Sequence, residues 1–206
     1  MLLKENKMEH YFSDNPKSLF KKEEFTIHIL DEDFKITSGS GIFSLDELDF
    51  GTKLLIENSK IKSNSKVLDL GCGYGIVGIA LKRKNTDIDI TLIDINDRAV
   101  KLALKNCEDN NIDARVIKSN IFDNPKIINE KFDVILTNPP FSAGKKVCID
   151  FIKQSYTHLN KEGLLQLVAP HNKGGESLRK VMLEIFGNVG ELVKKRGYRV
   201  YISIRK

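Results

Sequence analysis

From Lys66 onward, short runs rich in β-branched residues alternate with segments whose apolar residues recur at helical spacing. Such alternation is the pattern of βαβ units, in which parallel strands are covered by helices. Strands are predicted over Lys66 to Leu70, Ile88 to Asp94, Ala114 to Lys118, Phe132 to Thr137 and Gly163 to Ala169. Between them Ile76 to Lys82 reads as a helix, and Ala99, Val100, Ala103, Leu104 and Cys107 mark another behind Asn96, a favourable N-cap. Val147, Cys148, Phe151, Ile152 and Leu159 mark a third helix, and Leu178, Val181, Met182 and Ile185 a fourth. The tail reads as two strands, Val189 to Lys195 and Arg199 to Ile204, joined by a turn at Gly197-Tyr198. The expected architecture is an α/β sheet, mostly parallel, with a C-terminal antiparallel hairpin.

The N-terminal part has a different texture. Glu24 to Leu30 and Asp33 to Thr37 read as strands around an acidic turn, followed by a Gly/Ser-rich bend at Ser38 to Gly41. In Leu45 to Ser59, the residues Leu48, Leu54, Leu55 and Ile56 suggest a helix beginning near Asp49 to Thr52. Residues 1–45 are therefore read as an extension with a β-hairpin, and residues 46–206 as the main domain.

With 206 residues, 41% hydrophobic and 30% charged, the chain can bury a sizeable core, which argues against intrinsic disorder. Apolar runs such as Ile76 to Leu81 fall far short of the ~20 residues a membrane helix needs. The charged N-terminus lacks a signal-peptide apolar region, so a cytoplasmic location away from membranes is expected. Cys72, Cys107 and Cys148 are widely spaced and not paired for metal binding, which predicts reduced thiols and no metal site. The four histidines, His10, His28, His158 and His171, are scattered, and none is assigned to catalysis.

Three loops at predicted strand ends carry chemistry. The first is Asp69-Leu70-Gly71-Cys72-Gly73-Tyr74-Gly75, where glycines let backbone approach a ligand closely at a strand's carboxyl end. A dinucleotide fingerprint needs a third glycine where this chain has Ile76, and an acid at position 69 would repel a pyrophosphate. That acid suits a ligand bearing an α-ammonium and a sulfonium, as S-adenosylmethionine does. The second strand ends at Asp94, whose carboxylate can accept from both hydroxyls of a ribose. Beyond the third strand, Asn120 in Ser119-Asn120-Ile121 can meet an adenine edge.

The fourth strand ends in Thr137-Asn138-Pro139-Pro140-Phe141. Two prolines fix the backbone and remove two donors, leaving the Asn138 oxygen and the Pro139 carbonyl as acceptors beside an aromatic ring. Such an arrangement suits a planar amine, its hydrogens held by the acceptors while Phe141 stacks on the attached π system.

These motifs together resemble the class I S-adenosylmethionine-dependent methyltransferases of the small-domain type, the group containing the ribosomal RNA guanine-N2 methyltransferases. The resemblance rests on LDLGCGYG, LIDIN, TNPPF with the following AGK, and the C-terminal FGNV and GYRV. It extends to His10-Tyr11-Phe12-Ser13 with Pro16, and to Gly41-Ile42-Phe43-Ser44 with Asp49-Phe50-Gly51-Thr52. Within the group the chain looks most like the short stand-alone archaeal members. The resemblance implies a Rossmann-like fold with S-adenosyl-L-methionine as cofactor, held by Asp69, Gly71, Cys72, Gly73, Asp94, Ile95, Asn120, Ile121 and Asn138. It further implies that Asn138, Pro139, Pro140 and Phe141 hold the target, and that Phe43 and Ser44 close over the methionine end. Two departures stand out: Ser142 replaces the His common after this motif in bacterial relatives, and Asn120 replaces a frequent Asp.

The expected reaction is methylation of an exocyclic amine in RNA, with guanine N2 of ribosomal RNA (or tRNA) ahead of adenine N6. The alternatives are a protein glutamine amide as target, a non-catalytic module that binds the cofactor and assists RNA, and, weakest, a dehydrogenase. The charge distribution favours RNA, because residues 171–206 hold nine Lys and Arg against three Asp and Glu, while residues 1–170 are nearly balanced. A basic C-terminal face including Lys194, Lys195, Arg196 and Arg199 is therefore expected to meet phosphates. Nothing in the sequence sets the oligomeric state.

Overall fold

The computed structural model describes residues 22–39 and 48–206. Phe43 and Ser44, and the motifs around His10 to Pro16 and Gly41 to Ser44, lie outside the described residues.

Seven strands form one sheet: β3 (Lys66–Leu70), β4 (Asp89–Asp94), β5 (Arg115–Lys118), β6 (Phe132–Thr137), β7 (Leu159–Pro170), β8 (Gly190–Lys195) and β9 (Tyr198–Ile204). Their spatial order is β5-β4-β3-β6-β7-β9-β8. The pairings from β5 through β7 are parallel, and β9 is antiparallel to both β7 and β8. Alternate residues along each strand serve opposite faces, which is why the central strands are apolar nearly throughout. On one face Val67, Leu92, Val134 and Val200 pack under α1 (Phe50–Asn58), α2 (Ile76–Lys84) and α3 (Asp97–Asp109). On the other, Leu68, Ile93, Ile135 and Tyr201 pack under α4 (Lys145–His158) and α5 (Gly175–Phe186). Among the described residues no helix is long and apolar enough to cross a membrane.

The expected mostly parallel sheet, its C-terminal antiparallel hairpin and the N-terminal hairpin are all present, with shifted boundaries. β7 begins at Leu159, which the helical stripe had assigned to the preceding helix. A buried apolar residue fits either periodicity, and here Leu159 turns extended and pairs with Phe132 ahead of an irregularity in the ladder. The C-terminal turn is Arg196-Gly197 rather than Gly197-Tyr198: Lys195 pairs with Tyr198, and the two residues between them have φ of 48° and 80°, the positive pair that a type I′ hairpin turn needs. Tyr198 is thereby the first residue of β9, a one-position change that matters for the site.

The N-terminal hairpin pairs β1 (Lys22–Ile29) with β2 (Glu32–Gly39) through a turn at Leu30 and Asp31, both at positive φ. Its buried residues Ile27, Ile29, Phe34 and Ile36 join the core shared with α2 and α3. Two asparagines of α3 attach it. Asn106, fully buried, accepts from the Thr37 amide at 2.8 Å and donates to the carbonyls of Thr37 and Tyr74 at 3.0 and 2.9 Å. Asn110 accepts from the Lys35 amide and donates to its carbonyl. Each buried group stripped of its partner costs about 1–3 kcal/mol. Asn106→Leu, which strands three backbone groups at once, should lower the unfolding free energy by about 3 kcal/mol or more in urea titration.

Candidate active site

The order of successive strands reverses between the parallel neighbours β3 and β6, and in open α/β sheets ligands bind in the crevice beyond the carboxyl ends of the strands at such a point. The Thr137 hydroxyl donates to the Leu70 carbonyl at 2.9 Å, tying the two strand ends together beneath the crevice. A cavity of 530 Å³ opens there, within the roughly 300–1,000 Å³ of small-molecule sites. It is lined by Asp69, Gly71, Gly73, Asp94, Ile95, Asn120, Ile121 and the whole run Asn138 to Phe141, residues taken from four different strand ends.

Gly71 and Gly73 have φ of 76° and 57°, which lets the loop after β3 bend away beneath the cavity. Asp94 holds that loop: its Oδ2 accepts from the Gly73 amide and its Oδ1 from the Asn96 amide, both at 2.9 Å. A carboxylate oxygen has capacity for a second bond, so each retains a lone pair for one hydroxyl of a vicinal diol. Burial pushes the Asp94 carboxyl above its ordinary range, partly offset by the backbone donors. Beyond it Ile95, Ala99 and Ile121 supply apolar walls of the kind a purine ring needs. Ile121 adopts φ of 55°, a left-handed backbone that costs a β-branched residue about 1–3 kcal/mol and that clusters at ligand sites.

Asp69 lies deeper. Gly75, the N-cap of α2, offers no side-chain oxygen, and the Asp69 Oδ2 serves instead by accepting from the Gly78 amide at 3.1 Å. Desolvation raises its carboxyl to about 7. Since the unfolded chain releases this proton near pH 3.8, the stability Asp69 contributes is fully present below that pH and is lost as pH rises through about 7. A cation bound beside it favours the ionised form. Affinity for S-adenosylmethionine should thus rise about tenfold per unit up to pH 7 and then level off. Calorimetric titration across pH checks this, and Asp69→Asn should abolish the rise between about pH 6 and 7.

Cys72 departs from the expected cofactor set. Its amide donates to the Ile93 carbonyl and its thiol enters the core beneath the loop, so it does not line the cavity.

At the other end stands the loop after β6. Pro139 and Pro140 have no N–H, and Phe141 opens a single 3-10 turn to Ala143, its ring lying against Gly174. The Asn138 Nδ2 donates to Asp49 Oδ2 at 3.1 Å and to Thr52 Oγ1 at 3.0 Å. Asp49 and Thr52 belong to the start of α1 and also line the cavity, as do Lys173 and Tyr198. The sequence pattern marked Asp49 to Thr52 as a helix start and Tyr198 as a turn, and although both lie in motifs that carry the family resemblance, neither was assigned to the site. Gly51 makes the convergence possible, because a Cβ at that position would stand 2.9 Å from the Tyr198 ring. Burial and the Asp49 charge push the Tyr198 phenol upward, so it stays neutral at physiological pH.

The basic face is narrower than its composition. Lys194, Lys195 and Arg196 are exposed around the β8–β9 turn, and Arg196 stacks 5.2 Å from the centre of the Phe50 ring at the edge of the site. Arg199, expected among the phosphate ligands, is instead paired with Glu191 at 2.6 Å.

Comparison with known proteins returns a match to the model "Methyltransferase small domain" over residues 33–202. The chain belongs to the methyltransferase small-domain family. Within that family it is 38% identical over 194 residues to the uncharacterized protein YbxB of Bacillus subtilis, covering 93% of this chain and 96% of that one. It is 33% identical over 186 residues to ribosomal RNA small subunit methyltransferase C of Psychromonas ingrahamii, covering 88% of this chain and 52% of that one. Its fold superposes with a TM-score of 0.80 on a 16S rRNA N2 methyltransferase (RsmC) of T. thermophilus in complex with AdoMet and guanosine, at 26% identity over 93% of this chain and 52% of that one. The chain thus has the fold of an S-adenosylmethionine-dependent methyltransferase and spans about half the length of these ribosomal RNA methyltransferases. The expected likeness to short archaeal members is corrected: YbxB, a relative of matching length at 38% identity, is bacterial.

Proposed function

We propose that the chain transfers a methyl group from S-adenosylmethionine to an exocyclic amine of an RNA base, guanine N2 of ribosomal RNA. The observation that carries this reading is the polarity of the loop after β6. Its prolines have no donors and both N–H bonds of Asn138 are engaged by Asp49 and Thr52, so the loop offers acceptors to whatever sits beside Phe141. An amine bound to a flat π system brings two N–H donors and a face to stack, matching that surface.

When bound, the cofactor supplies an electrophilic methyl group on sulfur. Asp94 would hold its ribose and Asp69 would face its ammonium, both in the cavity that Asn138 also lines. There the acceptors favour a pyramidal nitrogen, whose lone pair is otherwise delocalised into the ring. The nitrogen–carbon bond forms as the sulfur–carbon bond breaks, and the surplus nitrogen proton leaves to solvent. Positioning of this kind accounts for most of the rate in a direct displacement.

The exposed Lys194, Lys195 and Arg196, the last stacked on Phe50 at the edge of the site, support RNA over a protein amide as the target, as do the names of the ribosomal RNA methyltransferases among the relatives. Labelled S-adenosylmethionine should methylate RNA from a strain lacking this chain, with N2-methylguanosine found by nucleoside mass spectrometry. Label in the protein fraction alone would overturn the reading. Replacing the three exposed cations by Gln should lower the slope of log affinity against log salt by about 2, at roughly 0.7 per phosphate on single strands. Arg199→Gln should leave that slope unchanged.

A further inference from the structure

The Asn138 carboxamide faces two groups that the sequence reading did not assign to the site. Asp49 is the N-cap of α1, and its Oδ2 accepts from the Thr52 amide at 2.8 Å and from the Thr52 hydroxyl at 3.1 Å. The same oxygen accepts from Asn138 Nδ2, as does Thr52 Oγ1. Proton counting then leaves no choice of orientation. An ionised carboxylate has no proton to give, and the single proton of the Thr52 hydroxyl is spent on Asp49. Both groups are therefore acceptors toward Asn138. Two acceptors against one end of a carboxamide select its NH2 end, since the flipped amide would set its oxygen against a carboxylate. Both N–H bonds are consumed, and Oδ1 takes no partner among the described residues and is not sealed from solvent.

We propose that Asp49, acting with Thr52, is a positioning residue that locks the Asn138 carboxamide with its oxygen toward the target amine. The proposal rests on the reading that Asn138 receives that amine. An N-cap at the start of α1 thus sets the polarity of a side chain 89 positions away, at the end of β6. A freely flipping Asn138 would offer N–H donors for part of the time and repel the amine. The chain's helix cap and its acceptor site are the same carboxylate.

Asp49→Asn tests this with little risk to folding, because Asn caps helices as well as Asp does, while its own NH2 removes the demand on Asn138. In 1H–15N spectra the side-chain amide pair of Asn138, assigned by its absence in Asn138→Ala, should exchange slowly with solvent in the wild type. In Asp49→Asn it should exchange rapidly, with the backbone resonances of α1 retained. The methyl-transfer kcat should fall about tenfold or more with cofactor affinity unchanged, and in an Asn138→Ala background Asp49→Asn should cost nothing further. In Thr52→Ser, which keeps a hydroxyl acceptor at the same place, the Asn138 amide pair should retain its slow exchange. Unaltered Asn138 amide signals in Asp49→Asn, or losses from Asp49 and Asn138 that multiply, would overturn the proposal. A wild-type chain that methylates no RNA would defeat the functional reading instead, and the amide signals would still decide the positioning.

Discussion

Asn138→Ala should slow methyl transfer about 10²-fold or more while cofactor affinity stays nearly constant, the scale of deleting one hydrogen bond made in the transition state. In the proposed mechanism the amine meets the Asn138 oxygen most strongly as it becomes pyramidal, so the loss belongs in kcat rather than KM. The substitution leaves the Asp49 cap on α1 intact, because Asp49 keeps both bonds to Thr52. Phe141→Ala should act partly through KM, since stacking on a base is worth about 1–3 kcal/mol before the methyl group moves. Single-turnover transfer of labelled methyl to RNA separates the two. If Asn138→Ala keeps a near-normal rate, the loop after β6 is structural and the acceptor mechanism is wrong.

The second large effect is expected at Asp94. With Asp94 as the proposed charged acceptor of two ribose hydroxyls, Asp94→Ala should weaken S-adenosylmethionine binding by about 1.5–3 kcal/mol, or about 10- to 150-fold in Kd. Part of that loss passes through the loop, because Asp94→Ala also frees the Gly73 amide that the carboxylate holds. Asp94→Asn keeps one acceptor oxygen and should fall between the wild type and the alanine variant in calorimetric titration. Unchanged affinity in Asp94→Ala would remove the residue from the site.

The pH behaviour of the site follows from the depth of its two acids. Asp94 accepts from two backbone amides, those of Gly73 and Asn96, whereas Asp69 accepts from one, that of Gly78, and lies under the loop. The deeper acid is thus the one whose protonation competes with a cationic ligand near neutral pH. A ligand without a positive charge should show no such dependence, which makes S-adenosylhomocysteine with its amine acetylated, lacking both the sulfonium and the ammonium, a useful control.

The parts of this protein legible in its sequence are those whose cause is local. Asp69, Gly71 and Gly73 occupy consecutive positions at the end of one strand, and their residue types already imply a backbone that approaches a ligand. The same holds for Asp94 and for Asn138 to Phe141, where a strand end, missing donors and an aromatic ring stand side by side. Alternating periodicity likewise sufficed for the parallel sheet, because burial on two faces demands apolar runs whatever the neighbours are.

Only the tertiary structure decided which partners those residues meet. Asp49 and Thr52 come to Asn138 from 89 and 86 positions away, because α1 is carried across the sheet to the end of β6. Tyr198 reaches the cavity because the hairpin turn closes one residue earlier than composition suggests, a matter of backbone handedness at Arg196 and Gly197. Arg199, read from composition as a phosphate ligand, is neutralised across the hairpin by Glu191, and Cys72, read as part of the loop's contact surface, turns its thiol into the core. Sequence pattern records what a residue can do. Hydrogen bonds and ion pairs depend on positions to within a fraction of an ångström, and only the folded chain sets those positions.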